Sequence, residues 1–310
     1  MLVQGLYFLI GLISLYFGAD LSLESAEKIG KSWKMSPLLI GLFIVGFGTS
    51  LPEFFVSQLA CFRGRYDMSI GNVIGSNVAN IFLVLGVCGL FANLQTKNKQ
   101  LMPQLMFHLF VTVLCGVFVY AGSISFLSLF VFSTLFSIYF WMNFKGNKNE
   151  EESECLEEED ISVGIKEYSF LLLGFGMLYG GGEVLVYSGS NLGLLFGVSE
   201  FTISAILVAF GTSFPELVTS LIACRRKKDT DLIVGNIIGS NVFNICFVLG
   251  SVGIYQFNIV ENYLYESLLL SLVSFIFVFM GRGGIPISRL VSIIFLLVYV
   301  GISTYWITYS

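Results

Sequence analysis

Charge is scarce in this chain: 12% of its 310 residues are Asp, Glu, Lys or Arg, against 55% that are hydrophobic. Histidine is nearly absent, with His108 standing alone. That removes most imidazole chemistry. A Ser–His nucleophile has only this one residue to draw on, and zinc, copper and iron sites normally include imidazole or thiolate. The six cysteines are Cys61, Cys88, Cys115, Cys155, Cys224 and Cys246. Five lie in apolar runs and show no metal or redox spacing, so packing is their expected role. No pair of Asp residues stands at a motif centre, as an intramembrane aspartyl protease would require. Nothing in the composition points to nucleic acid, and no cofactor is implied.

What is abundant is apolar sequence, with a mean hydropathy of +0.84. Several runs reach about 20 residues, enough to cross ~30 Å of hydrocarbon at 1.5 Å per residue. They are continuous rather than alternating, which argues against a β-barrel. The expected class is an all-α polytopic membrane protein with ten transmembrane helices, near 3–27, 37–61, 69–91, 101–121, 124–143, 167–193, 200–224, 232–254, 262–281 and 287–308. The first run continues into Gly18-Ala19-Asp20 and reads as a retained span rather than a cleavable signal peptide. With ten spans, 14 of the 16 Lys and Arg residues fall on one side and only Arg63 and Arg65 on the other. The positive-inside rule then puts the charged loops in the cytoplasm and both termini outside. The short loops suit a plasma (inner) membrane.

The net charge of −5 is local in origin, since Asn149 to Asp160 holds eight of the 21 acidic residues. This acidic stretch reads as a solvated linker. It separates two halves that repeat each other. GTSLPE at 48–53 returns as GTSFPE at 211–216, and GNVIGSNVAN at 71–80 returns as GNIIGSNVFN at 235–244, eight of ten positions identical. The expected organisation is a five-helix repeat over 1–144, a cytoplasmic linker over 145–166 and a second repeat over 167–310. Five is odd, so the second half enters the membrane in the opposite sense. Inverted repeats of this kind are the architecture of many secondary transporters.

The repeated residues are polar and lie mid-span. Glu53 and Glu216 fall near the centres of spans 2 and 7. A lone charge there costs at least ~2.5–3.5 kcal/mol, and the sequence offers no intramembrane Lys or Arg to offset it. A bound cation or a proton is the natural partner. Pro52 and Pro215 have no N–H, which removes the helix partner of the Gly48 and Gly211 carbonyls. In lipid such groups are costly; around a cation they become ligands. Thr49, Ser50, Thr212 and Ser213 add hydroxyls beside each break. Asn80 and Asn244 lie near the midpoints of spans 3 and 8, with Ser76 and Ser240 four residues earlier on the same helical face. Gly75 and Gly239 are expected to let neighbouring helices approach closely. The donor set is all oxygen, which suits Ca²⁺ with its roughly six to eight oxygen ligands, or Na⁺, better than Mg²⁺.

These paired motifs resemble the α-repeats of the sodium/calcium exchanger family, within the cation/Ca²⁺ antiporters, over both halves of the chain. The resemblance implies an antiporter that exchanges Na⁺ for Ca²⁺ by alternating access, electrogenically, with helices 2, 3, 7 and 8 forming the central ion site. It implies shared carboxylates at Glu53 and Glu216, completed by Thr49, Thr212, Ser50 and Ser213. Ser76 and Ser240 would serve sodium sites, the backbone carbonyls of Gly46 and Ala209 would contribute, and Asn80 and Asn244 would line the middle. Some relatives, including K⁺-dependent ones, carry Asp where this chain has Asn244, which argues against K⁺ co-transport. H⁺/Ca²⁺ exchange, or exchange of another divalent cation, is the alternative. Outside the motifs, His108 is expected to be packed or hydrogen-bonded rather than a proton relay. Asp20 and Glu183 occupy matching places in spans 1 and 6.

Overall fold

The computed structural model describes residues 2–98, 100–151, 163–195, 211–259 and 263–309. Helices dominate them. We label these α1 (Leu2–Ser32), α2 (Pro37–Phe62), α3 (Tyr66–Phe91), α4 (Leu101–Tyr120), α5 (Phe126–Glu151), α6 (Ile165–Leu195), α7 (Phe214–Arg225), α8 (Thr230–Tyr255), α9 (Leu264–Gly283) and α10 (Arg289–Tyr309). Among the described residues eight helices are long and apolar enough to span a membrane. α6 adds a 31-residue helix, and α7 is the second part of the seventh expected span. Ten spans are compatible with this arrangement. The first part of span 7, with Ala209, lies outside the described residues, as do residues 152–162 of the linker.

Burial sorts the helices into a centre and a periphery. Within the most apolar stretch of α8, 94% of residues are buried, and 83% in α3, against 17% in α10 and 22% in α5. The outer helices show one packed face and one lipid face. On α1, Leu15, Ala19, Leu23 and Ala26 are buried while Leu6, Leu9, Ile13 and Phe17 are exposed. An exposed apolar face of this kind is tolerable where lipid, not water, is the solvent.

Contacts come in exchanged pairs across the repeat. A Cβ on Gly18 would lie 2.9 Å from the Gly174 carbonyl oxygen, and one on Gly181 would lie 3.1 Å from that of Gly11. The two contacts interchange at the offset of 163, and both join α1 to α6. Gly86 packs on Leu296 and Gly250 on Phe132, again the same contact with the partners swapped. At one end of the bundle a two-residue ladder pairs β1 (Ser123–Ile124) with β2 (Phe257–Asn258), aligning Ser123 with Asn258. At the other end Leu94 pairs with Ile287; adding 164 to Leu94 and subtracting it from Ile287 gives Asn258 and Ser123. Contacts that repeat with exchanged partners at opposite ends require an approximate twofold axis in the membrane plane.

The centre is held by backbone proximity. A Cβ on Gly239 would lie 2.4 Å from the Leu42 carbonyl oxygen, and one on Gly235 2.4 Å from that of Leu38. The first half of α2 therefore lies directly on the α8 backbone, as small residues permit in membranes. Gly75 faces open space out to 4.0 Å among the described residues, where the Trp306 ring begins, so close packing is observed for Gly239 and not for its counterpart. Among the described residues three π-helical turns interrupt the central helices, at Ile40–Val45, Ala79–Val84 and Asn244–Leu249. Such turns recur at functional sites, and the last two contain Asn80 and Asn244.

Peripheral polar groups are tied down. His108 Nδ1 and Ser274 Oγ are 3.1 Å apart between α4 and α9, so the histidine is buried and hydrogen-bonded. Asp20 pairs with Arg226, and Lys228 Nζ lies 2.5 Å from Glu27 Oε2, joining α1 to the α7–α8 turn. Glu183 is exposed on α6.

The α2–α8 contact gives a first prediction. Gly239→Leu forces backbone apart, at a cost of about 1–3 kcal/mol for overpacking. It is expected to lower the thermal midpoint of the detergent-solubilised protein. Gly301→Leu, where nothing stands within 4 Å, should leave it unchanged. Equal midpoints for the two variants would contradict the backbone contact.

Candidate cation-binding site

The break in α2 falls at Ser50, with φ −88° and ψ 5°, and its counterpart in span 7 falls at Ser213, with φ −87° and ψ 6°. Both values leave the helical region by ψ. In each case the new helix begins at the next residue and takes its proline at the second position, where a missing N–H costs nothing. Gly48 stays helical, in the turn Gly46–Thr49. What requires glycine there is α6: a Cβ on Gly48 would come 2.0 Å from the Phe175 ring. The break puts Glu53 and Glu216 in the first turn of a helix, where the backbone dipole favours negative charge.

Both carboxylates are fully buried. Glu216 Oε1 accepts from Ser50 Oγ at 3.0 Å and from Ser240 Oγ at 3.4 Å. Its Oε2 has no hydrogen-bond partner among the described residues, and neither oxygen of Glu53 has one. No ion pair to either glutamate occurs among the described residues. Unpaired ionised carboxylates cannot be sustained in so dry a place, so a cation or a proton must complete the site.

The other predicted residues that are described lie on the elements around these carboxylates; Ala209 is outside the described residues. Ser240 Oγ also lies 3.1 Å from the Gly46 carbonyl oxygen, so its one proton serves either this acceptor or Glu216, tying α8 to the turn before the break. Thr49 Oγ1 lies 3.4 Å from that same carbonyl oxygen. Ser76 and Thr212 bring their hydroxyls to 3.1 Å, joining α3 to the second break. Asn80 Nδ2 donates to Asn241 Oδ1 at 3.0 Å across the α3–α8 interface. Asn244 is buried with both amide atoms unpartnered, and Ser213 Oγ is unpartnered too, among the described residues. The two halves are thus unequal. Ser50 reaches the carboxylate of the opposite repeat, whereas its counterpart Ser213 does not.

Several functional-looking residues went unassigned from sequence. Asn72 Oδ1 accepts from Thr212 Oγ1 at 3.3 Å, and Asn236 Oδ1 accepts from Thr49 Oγ1 at 3.4 Å. Asn72 Nδ2 donates to Ser57 Oγ at 2.9 Å, and Asn236 Nδ2 to Ser220 Oγ at 3.1 Å. These pairs also interchange under the repeat. The signal that could have found them is their identity in both copies of the GN motif. Chemically the region offers two carboxylates, hydroxyls, amide oxygens and backbone carbonyls. Every one of these donors is a hard oxygen, fit for alkali and alkaline-earth ions.

The family model described as sodium/calcium exchanger protein matches residues 3–145 and 166–308. The chain belongs to the sodium/calcium exchanger family. A solved structure of the sodium-calcium exchanger NCX_Mj, soaked with Na⁺ and Sr²⁺, superposes with a TM-score of 0.84 at 30% identity, covering 97% of each chain. The sodium/calcium exchanger MaX1 of Methanosarcina acetivorans is 29% identical over 96% of this chain and 97% of its own. The inner membrane protein YrbG of Escherichia coli is 32% identical over 81% of this chain and 79% of its own. Within this exchanger family the fold is a membrane-embedded pair of repeats, and both copies of GTSxPE and of the GN motif fall inside the matched segments. The match leaves out the stretch between residues 145 and 166, which holds the acidic run.

Proposed function

We propose that this chain exchanges Na⁺ for Ca²⁺ across the membrane by alternating access, with no chemical step. The observation that carries the reading is the pair of buried carboxylates, Glu53 and Glu216, placed at two inverted helix breaks with no positive side chain bonded to them. Glu53 and Glu216 would be shared by Ca²⁺ and Na⁺. Thr49, Ser50, Thr212 and Ser213 would complete the centre, and Ser76, Ser240, Asn80, Asn244 and the carbonyls of Gly46 and Ala209 would supply further oxygens. Membership of the exchanger family and the likeness to NCX_Mj and MaX1 support this choice of ions. No observation favours H⁺ over Na⁺ as the driving ion.

In this reading 1–144 and 167–310 are the two moving repeats and 145–166 is a cytoplasmic linker. Both termini face outward in an inner membrane, by the Lys and Arg distribution. Three Na⁺ per Ca²⁺ would carry one net charge, to which the membrane potential contributes ~2.3 kcal/mol per 100 mV.

Proteoliposomes loaded with Na⁺ should accumulate ⁴⁵Ca²⁺ when external Na⁺ is absent, and should not when Na⁺ is equal on both sides. Glu53→Gln or Glu216→Gln should abolish uptake while the protein still elutes as a folded species. Uptake that follows a pH gradient and ignores Na⁺ would overturn the choice of driving ion. For the orientation, a cysteine-free protein carrying Arg63→Cys should react with an impermeant maleimide on intact cells, and Arg282→Cys should not. The reverse labelling pattern would invert the topology.

A further inference from the structure

Two buried asparagines outside the proposed ligand set bond a serine and a threonine in matching positions of each repeat. Asn72 lies on α3 and Asn236 on α8, at the second position of each GN motif. Asn72 Nδ2 is 3.1 Å from the Glu53 backbone carbonyl and 2.9 Å from Ser57 Oγ. A carbonyl can only accept, so the amide nitrogen must face it, and Oδ1 is the atom left to face Thr212. That oxygen can only accept as well. The 3.3 Å contact from Thr212 Oγ1 therefore uses the single hydroxyl proton of the threonine. Ser76 Oγ, 3.1 Å away, must then donate to the Thr212 oxygen, which keeps one lone pair for an ion. In the other repeat the Thr49 hydroxyl has two alternative acceptors for its one proton, Asn236 Oδ1 and the Gly46 carbonyl oxygen, each at 3.4 Å, and either choice turns its lone pairs elsewhere.

The consequence concerns how a hydroxyl meets an ion. A free threonine hydroxyl rotates, and in part of its conformers it presents a proton to the cation. Committing the proton elsewhere before the ion arrives removes that arrangement, and the ion then need not reorganise the site to bind. We infer that Asn72 and Asn236 are positioning residues that fix the polarity of the Thr212 and Thr49 hydroxyls, so that each threonine faces a central cation with a lone pair. Asn72 also holds the Glu53 carbonyl, linking hydroxyl orientation in one repeat to the first helical turn after the break in the other. This rests on the cation-site reading of the preceding section.

The test is a double-mutant cycle on Ca²⁺ binding and transport. Asn72→Leu and Thr212→Val, each alone, should raise the apparent KM for Ca²⁺ about tenfold, the scale of one ion-assisted hydrogen bond, and leave Vmax nearly unchanged. The double variant should behave as Thr212→Val alone, because no hydroxyl is left to orient. Calorimetric Ca²⁺ dissociation constants of the purified protein should shift in parallel. If the two effects multiply, or if Asn72→Leu lowers Vmax at an unchanged KM, the positioning role is overturned. Asn236→Leu with Thr49→Val supplies a second cycle, with a smaller rise in KM expected for Asn236→Leu because the Gly46 carbonyl remains to accept the Thr49 proton, and it decides the matter should Asn72→Leu not fold. Wild-type transport in the same vesicles separates the two levels. Absence of Na⁺-dependent uptake by wild type defeats the exchange reading, whereas intact wild-type uptake with multiplicative singles defeats only the inference about the asparagines.

Discussion

A carboxylate buried in the middle of a membrane helix must be met by positive charge, and this chain supplies none from its own side chains at that depth. The rest of the central architecture answers that constraint. The helix breaks at Ser50 and Ser213 place each glutamate in the first turn of a new helix, where the backbone dipole favours its charge. Ser50 and Ser240 hydrogen-bond one oxygen of Glu216, and three carboxylate oxygens of the pair stay without a hydrogen bond among the described residues. A mobile cation satisfies them where a fixed lysine could not. A permanent ion pair would neutralise the site for good, and a site that is permanently neutral has no reason to exchange its contents.

Inversion of the two repeats gives the constraint its function. Contacts recur with partners exchanged along the whole molecule, from the Gly18 and Gly181 packing of α1 on α6 to the ladders at the two ends. A twofold-related scaffold can in principle adopt two conformations that are mirror roles of each other, one open to each side. The central hydrogen bonds are where the equality fails: Ser50 bonds Glu216 while Ser213 bonds nothing described, and Asn80 bonds Asn241 while Asn244 does not bond Asn77. A symmetric fold with an asymmetric centre is what one member of such a pair of states looks like.

Much of this was legible in the sequence because hydrophobic length and repeated polar motifs are local signals. The spans follow from run lengths, and Glu53 and Glu216 announce themselves by being charged where charge is costly. The detail that was not legible depends on which helix meets which. Asn72 and Asn236 looked like ordinary motif residues; their meaning comes from Thr212 and Thr49, 140 and 187 residues away in sequence. The tight fit at Gly48 comes from the ring of Phe175 on a helix of the other repeat, which no local signal reports. The bend itself belongs to Ser50, since a proline at the second helical position lets the helix restart just before it. His108 was read correctly as a packed, hydrogen-bonded residue, because a single histidine with no charged partner in its span has little else to do.

The account stands on one claim, that Na⁺ and Ca²⁺ take turns on the same two glutamates. The direct measurement is the equilibrium dissociation constant of Ca²⁺ for the purified protein as a function of Na⁺ concentration, at constant ionic strength. A shared site predicts that the constant rises with Na⁺ more steeply than in direct proportion, since more than one Na⁺ must leave for each Ca²⁺ that binds. A Ca²⁺ dissociation constant that does not change with Na⁺ would contradict the shared site.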